Sequence, residues 1–166
     1  MNLDYDYSYE CDAEYCYPNT NVLTNKFNIT DINQLNIAER ELTALKIAKS
    51  KDEPIKGNFD LKHLMKIHKY IFGDIYLWAG KLRNVNISKG NQFCRCEFIE
   101  KYSSEIFDKI KKEHFLLLKS GDEVPKCLAY YLSEINVIHP FREGNGRTQR
   151  VFIKCLPRYI FNLSNK

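Results

Sequence analysis

His139, Glu143, Arg147 and Arg150 lie within the stretch HPFREGNGRTQR, residues 139–150, together with Gly144, Asn145 and Gly146. These types at this spacing suit a polyphosphate. Glycines open backbone angles closed to bulkier residues, so Gly144-Asn145-Gly146 can turn successive N–H groups into one concavity. If a helix starts near Gly146, its unsatisfied N–H groups and positive dipole end face the same way. Arg147 and Arg150, three apart, share a face of its first turn, and guanidinium forks match phosphate oxygens. Glu143 would repel phosphates unless a cation lay between them, and Mg²⁺ is held by few carboxylates plus phosphate oxygens. His139, fixed just before Pro140, can take a proton from an incoming hydroxyl. Phe141 would anchor the loop, and Arg142 is expected to face solvent or a neighbouring acid.

Two commoner phosphate motifs are excluded. Position 149 is Gln, where a dinucleotide fingerprint needs a third glycine, and no Gly-Lys-Ser/Thr follows as in a Walker A loop. A plain surface turn would not gather a histidine, a carboxylate and two spaced arginines.

The elements that must position this loop are helical. Asp31 can cap a helix over about 32 to 49, with Leu35, Ala38, Leu42 and Leu45 on one face. Asp60 can cap a second, with Leu61, Leu64, Met65, His68, Ile71 and Phe72 inward and Gly73 as its C′ residue. His68 reads as a core histidine with its hydrogen bonds satisfied. His63 and His114 read as surface. Arg83 to Ser88 alternates at period two and Lys89-Gly90-Asn91 supplies turn chemistry, so a small hairpin over about 83 to 93 is expected. Helical spacing returns over about 97 to 118, along Phe98, Ile99, Tyr102, Ile106 and Ile110. It returns again over about 125 to 138, with Leu128, Tyr131, Leu132, Ile135 and Ile138 inward. A last helix begins at about 146, and Pro157 is expected to end it. The sum is an all-α domain with one β-hairpin.

The chain has 166 residues, 44% hydrophobic and 28% charged, which suits one globular domain. Residues 1–18 hold five acids and no base, against a net charge of +4 for the whole. They read as a loosely held acidic arm rich in tyrosine, and 19–166 as the domain. The basic body suits an anionic ligand. No basic run interleaved with aromatics suggests direct nucleic-acid binding. No long apolar stretch or secretory signal is visible, so a cytoplasmic protein is expected, without membrane association. Cys127 and Cys155 fall in apolar patterns and read as core. Cys11, Cys16, Cys94 and Cys96 could form a four-thiolate metal site if the arm met the hairpin, but reduced, unrelated thiols are the simpler reading.

The stretch at 139–150 resembles the signature of the Fic family, His-Pro-Phe-x-(Asp/Glu)-Gly-Asn-Gly-Arg-x-x-Arg, at every defined position. YPNTNVLTNKFNI, GNFDLKHLMKIHKYIFGDIYLWAGKLRNVNISKG and YYLSEINVIHPF resemble its bacterial toxin-like branch. The resemblance implies a Fic-type helical domain with a β-hairpin flap, and AMP transfer from ATP to a hydroxyl side chain of a target protein. It gives His139 the role of general base and Glu143 that of Mg²⁺ ligand. Gly144, Asn145 and Gly146, with Arg147, would cradle the β-phosphate, and Arg150 would hold the γ-phosphate. Ile87, Ser88 and Lys89 of the flap would pair main chain with the target segment. Transfer of another nucleotide or of phosphocholine, or a nucleotide-binding module without catalysis, are the alternatives; the intact His139 and Glu143 favour an enzyme. The family's inhibitory (Ser/Thr)-x-x-x-Glu-(Gly/Asn) motif does not occur in this sequence, so restraint is expected from a small antitoxin supplying that helix. Relatives continue with more helix where this chain ends in CLPRYIFNLSNK.

Overall fold

The computed structural model describes residues 8–9, 14–116 and 122–164, with the backbone alone at 8–9, 116 and 157–164. Its five α-helices among these residues are α1 (Ile32–Asp52), α2 (Leu61–Phe72), α3 (Ile99–Lys112), α4 (Glu123–Ile138) and α5 (Asn145–Ser164). Three short strands, β1 (Ser8–Tyr9), β2 (Ile87–Lys89) and β3 (Asn91–Gln92), form one antiparallel sheet with β2 in the middle. An all-α domain with a small flap is therefore the observed class.

The two acidic caps are in place. Asp31 Oδ1 accepts from the Gln34 N–H and Asp60 Oδ1 from the His63 N–H, both at 2.8 Å. Gly73 ends α2, but at φ −65 rather than in the left-handed cap expected of it. A Cβ there would lie 2.4 Å from the Lys69 carbonyl oxygen, so close approach is what requires glycine. Gly90, at φ +72, turns the hairpin.

The core forms where α5 packs on α2 and α4, with Leu64, Ile67, Ile71 and Phe72 meeting Phe152 and Leu156. Several expected faces are rotated. On α1, Leu45 is 62% exposed while Leu35, Thr43 and Ser50 are buried. Thr43 is drawn inward because it receives Arg147. On α3, Phe98 and Tyr102 are exposed while Ile99, Ser103, Phe107 and Ile110 are buried. That helix stops at Lys112, short of 118, because Phe115 takes φ +54. His63 is core rather than surface: Nε2 donates to the Ile55 carbonyl at 2.7 Å and Nδ1 accepts from the Phe59 N–H at 3.3 Å.

Pro157 does not end α5, which runs on to Ser164. Val151, Phe152 and Leu156 seal the preceding turns into the core, so the helix is already anchored where the proline removes one hydrogen bond. The arm is not loose throughout. Tyr15 and Cys16 are buried, and Tyr15 Oη donates to Asn84 Oδ1 at 2.7 Å. Ser8–Tyr9 pairs with β2 in the register Ser8↔Ser88 and Tyr9↔Ile87. Cys11 lies outside the described residues. Cys127 and Cys155 are half-buried against the core, and no metal cluster forms among the described residues.

Candidate active site

Residues 139–144 join α4 to α5. His139 caps α4 in the left-handed region (φ 48, ψ 61), its N–H donating to Ile135 O at 3.1 Å. Nδ1 lies 3.1 Å from the Asn136 carbonyl, which can only accept. Nδ1 therefore carries the hydrogen and Nε2 presents a lone pair. Phe93, just after β3, stacks on the ring at 3.8 Å. Burial, aided by the positive charges of Arg83 and Lys89, pushes the pKa down to about 4. The imidazole is neutral at neutral pH, as a proton acceptor must be.

Arg83 ties the foot of the flap to this loop. It is buried, and its guanidinium donates to the carbonyls of His139 (2.8 Å), Val85 (2.5 Å), Cys94 and Ile138 (3.4 Å). Its own N–H donates to Pro140 O at 2.9 Å. Arg142 is also buried, lying over the Tyr15 ring at 6.0 Å, rather than facing solvent; the arm covers it.

Inside the loop, Asn145 is a latch. Its Oδ1 accepts from the Phe141 N–H (2.8 Å) and its Nδ2 donates to the Phe141 carbonyl (2.7 Å). Its side chain is thereby committed to the loop, leaving its backbone for a ligand. Gly144 sits at φ +80, where a Cβ would fall 2.2 Å from Phe72 Cζ. The α5 ladder begins with Thr148 N–H donating to Gly144 O at 3.0 Å, so the amides of Asn145, Gly146 and Arg147 precede it and have no intrahelical acceptor. Such a helix end can bind an anion, the chemistry that the glycines suggest.

The charged residues divide. Glu143 Oε1 accepts from the Gly144 N–H at 2.8 Å and lies 3.4 Å from Arg147 Nη2. Burial and then the Glu39 carboxylate raise its pKa above the usual carboxylate range. Both oxygens of Glu39 already accept hydrogen bonds, from Arg147 and Tyr76, so of these two carboxylates Glu143 is the one that could hold a small divalent cation. Arg147 turns toward α1: Nη2 donates to Glu39 Oε1 at 2.5 Å and Nη1 to Thr43 Oγ1 at 3.1 Å, while the Phe72 ring lies 4.7 Å from its Cζ. Tyr76 Oη donates to the other oxygen of Glu39. Arg150 is exposed, its guanidinium reaching back along the helix to within 3.2 Å of where a Gly146 Cβ would be. On the flap, Ile87 is buried, Ser88 half-buried and Lys89 exposed.

Glu39, Thr43, Tyr76, Arg83 and Phe93 were not singled out from the sequence. Arg83 and Phe93 entered only as the bounds of the expected hairpin, and Glu39 and Thr43 left a trace as two polar residues four apart on one helix face.

The sequence profile of the Fic/DOC family matches residues 58–156. This chain belongs to that family. It is 39% identical over 146 residues to "Probable protein adenylyltransferase y4lH" of Sinorhizobium fredii, covering 87% of this chain and 74% of that one. It is 41% identical over 145 residues to the protein adenylyltransferase VbhT of Bartonella schoenbuchensis, covering 87% of this chain but 30% of that longer protein. Among solved structures, the N-terminal Fic domain of a Bartonella quintana VirB-translocated effector with bound ADP superposes with a TM-score of 0.83. It is 27% identical, covering 89% of this chain and 76% of that one. The Fic fold thus accounts for the all-α architecture. No helix among the described residues is long and apolar enough to cross a membrane.

Proposed function

We propose that this Fic chain is a protein adenylyltransferase that moves AMP from ATP to a hydroxyl side chain of a target protein. The observation that carries the reading is His139: a buried, neutral imidazole whose Nδ1 is committed to a carbonyl, leaving Nε2 to accept a proton beside an anion-binding helix end. In the proposed step the target oxygen attacks the α-phosphorus of ATP. The new O–P bond forms as the bond to the β-phosphate bridging oxygen breaks, pyrophosphate leaves, and the hydroxyl proton passes to His139 Nε2.

The amides at the start of α5, with Gly144 and Gly146 leaving room, hold the β-phosphate. Arg147 adds charge there from its seat on Glu39, and Arg150, exposed on the same helix, holds the γ-phosphate. Glu143 would hold Mg²⁺, which when bound neutralises the phosphate oxygens as the leaving group departs. Ile87, Ser88 and Lys89 would pair main chain with the target segment, fixing its hydroxyl near His139.

The relatives named as adenylyltransferases, and the effector solved with ADP, support this reading. A small antitoxin supplying an inhibitory carboxylate in trans is proposed as the restraint, because the sequence lacks that motif.

The test is incubation of the chain with Mg²⁺, host lysate and ATP labelled at either the α- or the γ-phosphate. Label should enter protein from the α-position only, and His139→Ala should abolish transfer while still binding ATP. Transfer from the γ-position, or transfer surviving in that variant, would overturn the proposal.

A further inference from the structure

His68 on α2 lies outside the signature, yet it touches the loop at the peptide between Glu143 and Gly144. It is fully buried, with Phe141 and Phe72 stacked against its ring at 3.9 and 4.8 Å. Both ring nitrogens are used. Nδ1 accepts from the Gly80 N–H at 2.8 Å, so the hydrogen is on Nε2, which donates to the Glu143 carbonyl at 3.0 Å.

The bond to that carbonyl constrains more than one atom. The peptide joining Glu143 to Gly144 is trans, so its carbonyl and its N–H point in opposite directions. Holding the carbonyl toward α2 turns the Gly144 N–H away from α2, where it meets the Glu143 carboxylate at 2.8 Å. Gly144 has no side chain to resist rotation of this peptide, and as a glycine it could populate either orientation. Phe72 keeps a Cβ out of this position but supplies no polar hold on the peptide.

We propose that His68 is a positioning residue for nucleotide binding. Its Nε2–H locks the 143–144 peptide so that the Gly144 N–H and the Glu143 carboxylate keep their mutual orientation, and the Gly80 N–H locks the tautomer that makes this possible. The inference rests on the reading that this loop holds ATP.

Two amide variants separate its two bonds. In His68→Gln the amide nitrogen can stand where Nε2 stands, keeping the donor to Glu143. In His68→Asn the amide oxygen can stand where Nδ1 stands, keeping the acceptor for Gly80. Both lose the ring. Binding of the non-hydrolysable analogue AMPPNP with Mg²⁺ is measured by calorimetry, and melting temperature by circular dichroism. His68→Gln should stay within about threefold of wild type and His68→Asn should weaken about tenfold, at similar melting temperatures.

Equal affinities for both variants and wild type, or losses that simply follow melting temperature, would overturn the inference alone. No binding by the wild type would overturn the functional reading and this inference with it. A measurement without mutation covers variants that fail to fold. The ¹⁵N spectrum of the wild-type ring should show hydrogen on Nε2, with a resonance that shifts on saturation with AMPPNP and Mg²⁺. Hydrogen on Nδ1, or a resonance that does not move, would likewise overturn the positioning role.

Discussion

Three buried histidines, His63, His68 and His139, should make this fold sensitive to acid well above the carboxylate range. His68 is 0% and His139 6% exposed, and burial pushes each pKa from 6.5 to about 4. In the unfolded chain both titrate near the ordinary value. Below it the unfolded state binds protons that the fold refuses, so stability rises with pH across this window. The contribution is present in full above about pH 6.5 and drains away as pH falls toward 4. By about pH 5 His68 and His139 have each removed about 2 kcal/mol, a large share of the roughly 5–15 kcal/mol of a typical domain. Glu143, with its pKa raised, acts in the opposite sense, since its protonation favours the fold. A difference between variants isolates one histidine from this background. His139→Asn keeps a residue that tolerates φ 48 and an amide that can donate to Asn136 O. Urea unfolding at about pH 7.5 and about pH 5 should show a drop in unfolding free energy that is smaller in the variant by about 2 kcal/mol. Equal drops, within about 0.5 kcal/mol, would refute the claim that burial holds His139 neutral.

Arg83→Met should cost about 3–5 kcal/mol in urea unfolding, because four carbonyls lose a buried cationic donor. A loss under about 1 kcal/mol would show that water replaces it and that the flap is not tied to His139 through this side chain. Deleting residues 1–12 removes β1 from the edge of β2 that a target strand would use. Deuterium uptake over Ile87–Lys89 should rise, and transfer to protein targets should be at least as fast; unchanged uptake would mean that the arm does not protect this edge.

Much of the site was legible because its chemistry is local. Gly144 and Gly146, the turn at His139-Pro140 and the start of α5 are short-range matters, and so are the caps at Asp31 and Asp60 and the turn at Gly90. What the sequence hid is what arrives from a distance. Leu45 looked inward because helical spacing cannot tell which side of α1 faces the protein; Arg147, a hundred positions later, decides it by drawing in Glu39 and Thr43. His63 looked exposed because its partners, Ile55 and Phe59, lie on a turn whose path has no periodic signature. Arg142, expected to face solvent or a neighbouring acid, is buried, because Tyr15, which nothing local announces, lies over it. Pro157 is a local stop signal overruled by the burial of Phe152 and Leu156 before it.

The two signature arginines are chemically alike and structurally opposite, and that difference bears on how the enzyme could be restrained. Arg147 already has a carboxylate of its own chain, Glu39, itself held by Tyr76, and the side chains of Arg147 and Glu39 are only 25% and 12% exposed. An added carboxylate would find Arg147 largely compensated and partly shielded. Arg150 is exposed, and no ion pair to it occurs among the described residues. A glutamate delivered by another protein would therefore gain most at Arg150, where it would also exclude the γ-phosphate by charge and by volume. On the proposed mechanism, such a partner need not disturb the buried machinery around His139 and His68. It need only occupy Arg150, which of the two signature arginines is the one the fold leaves exposed.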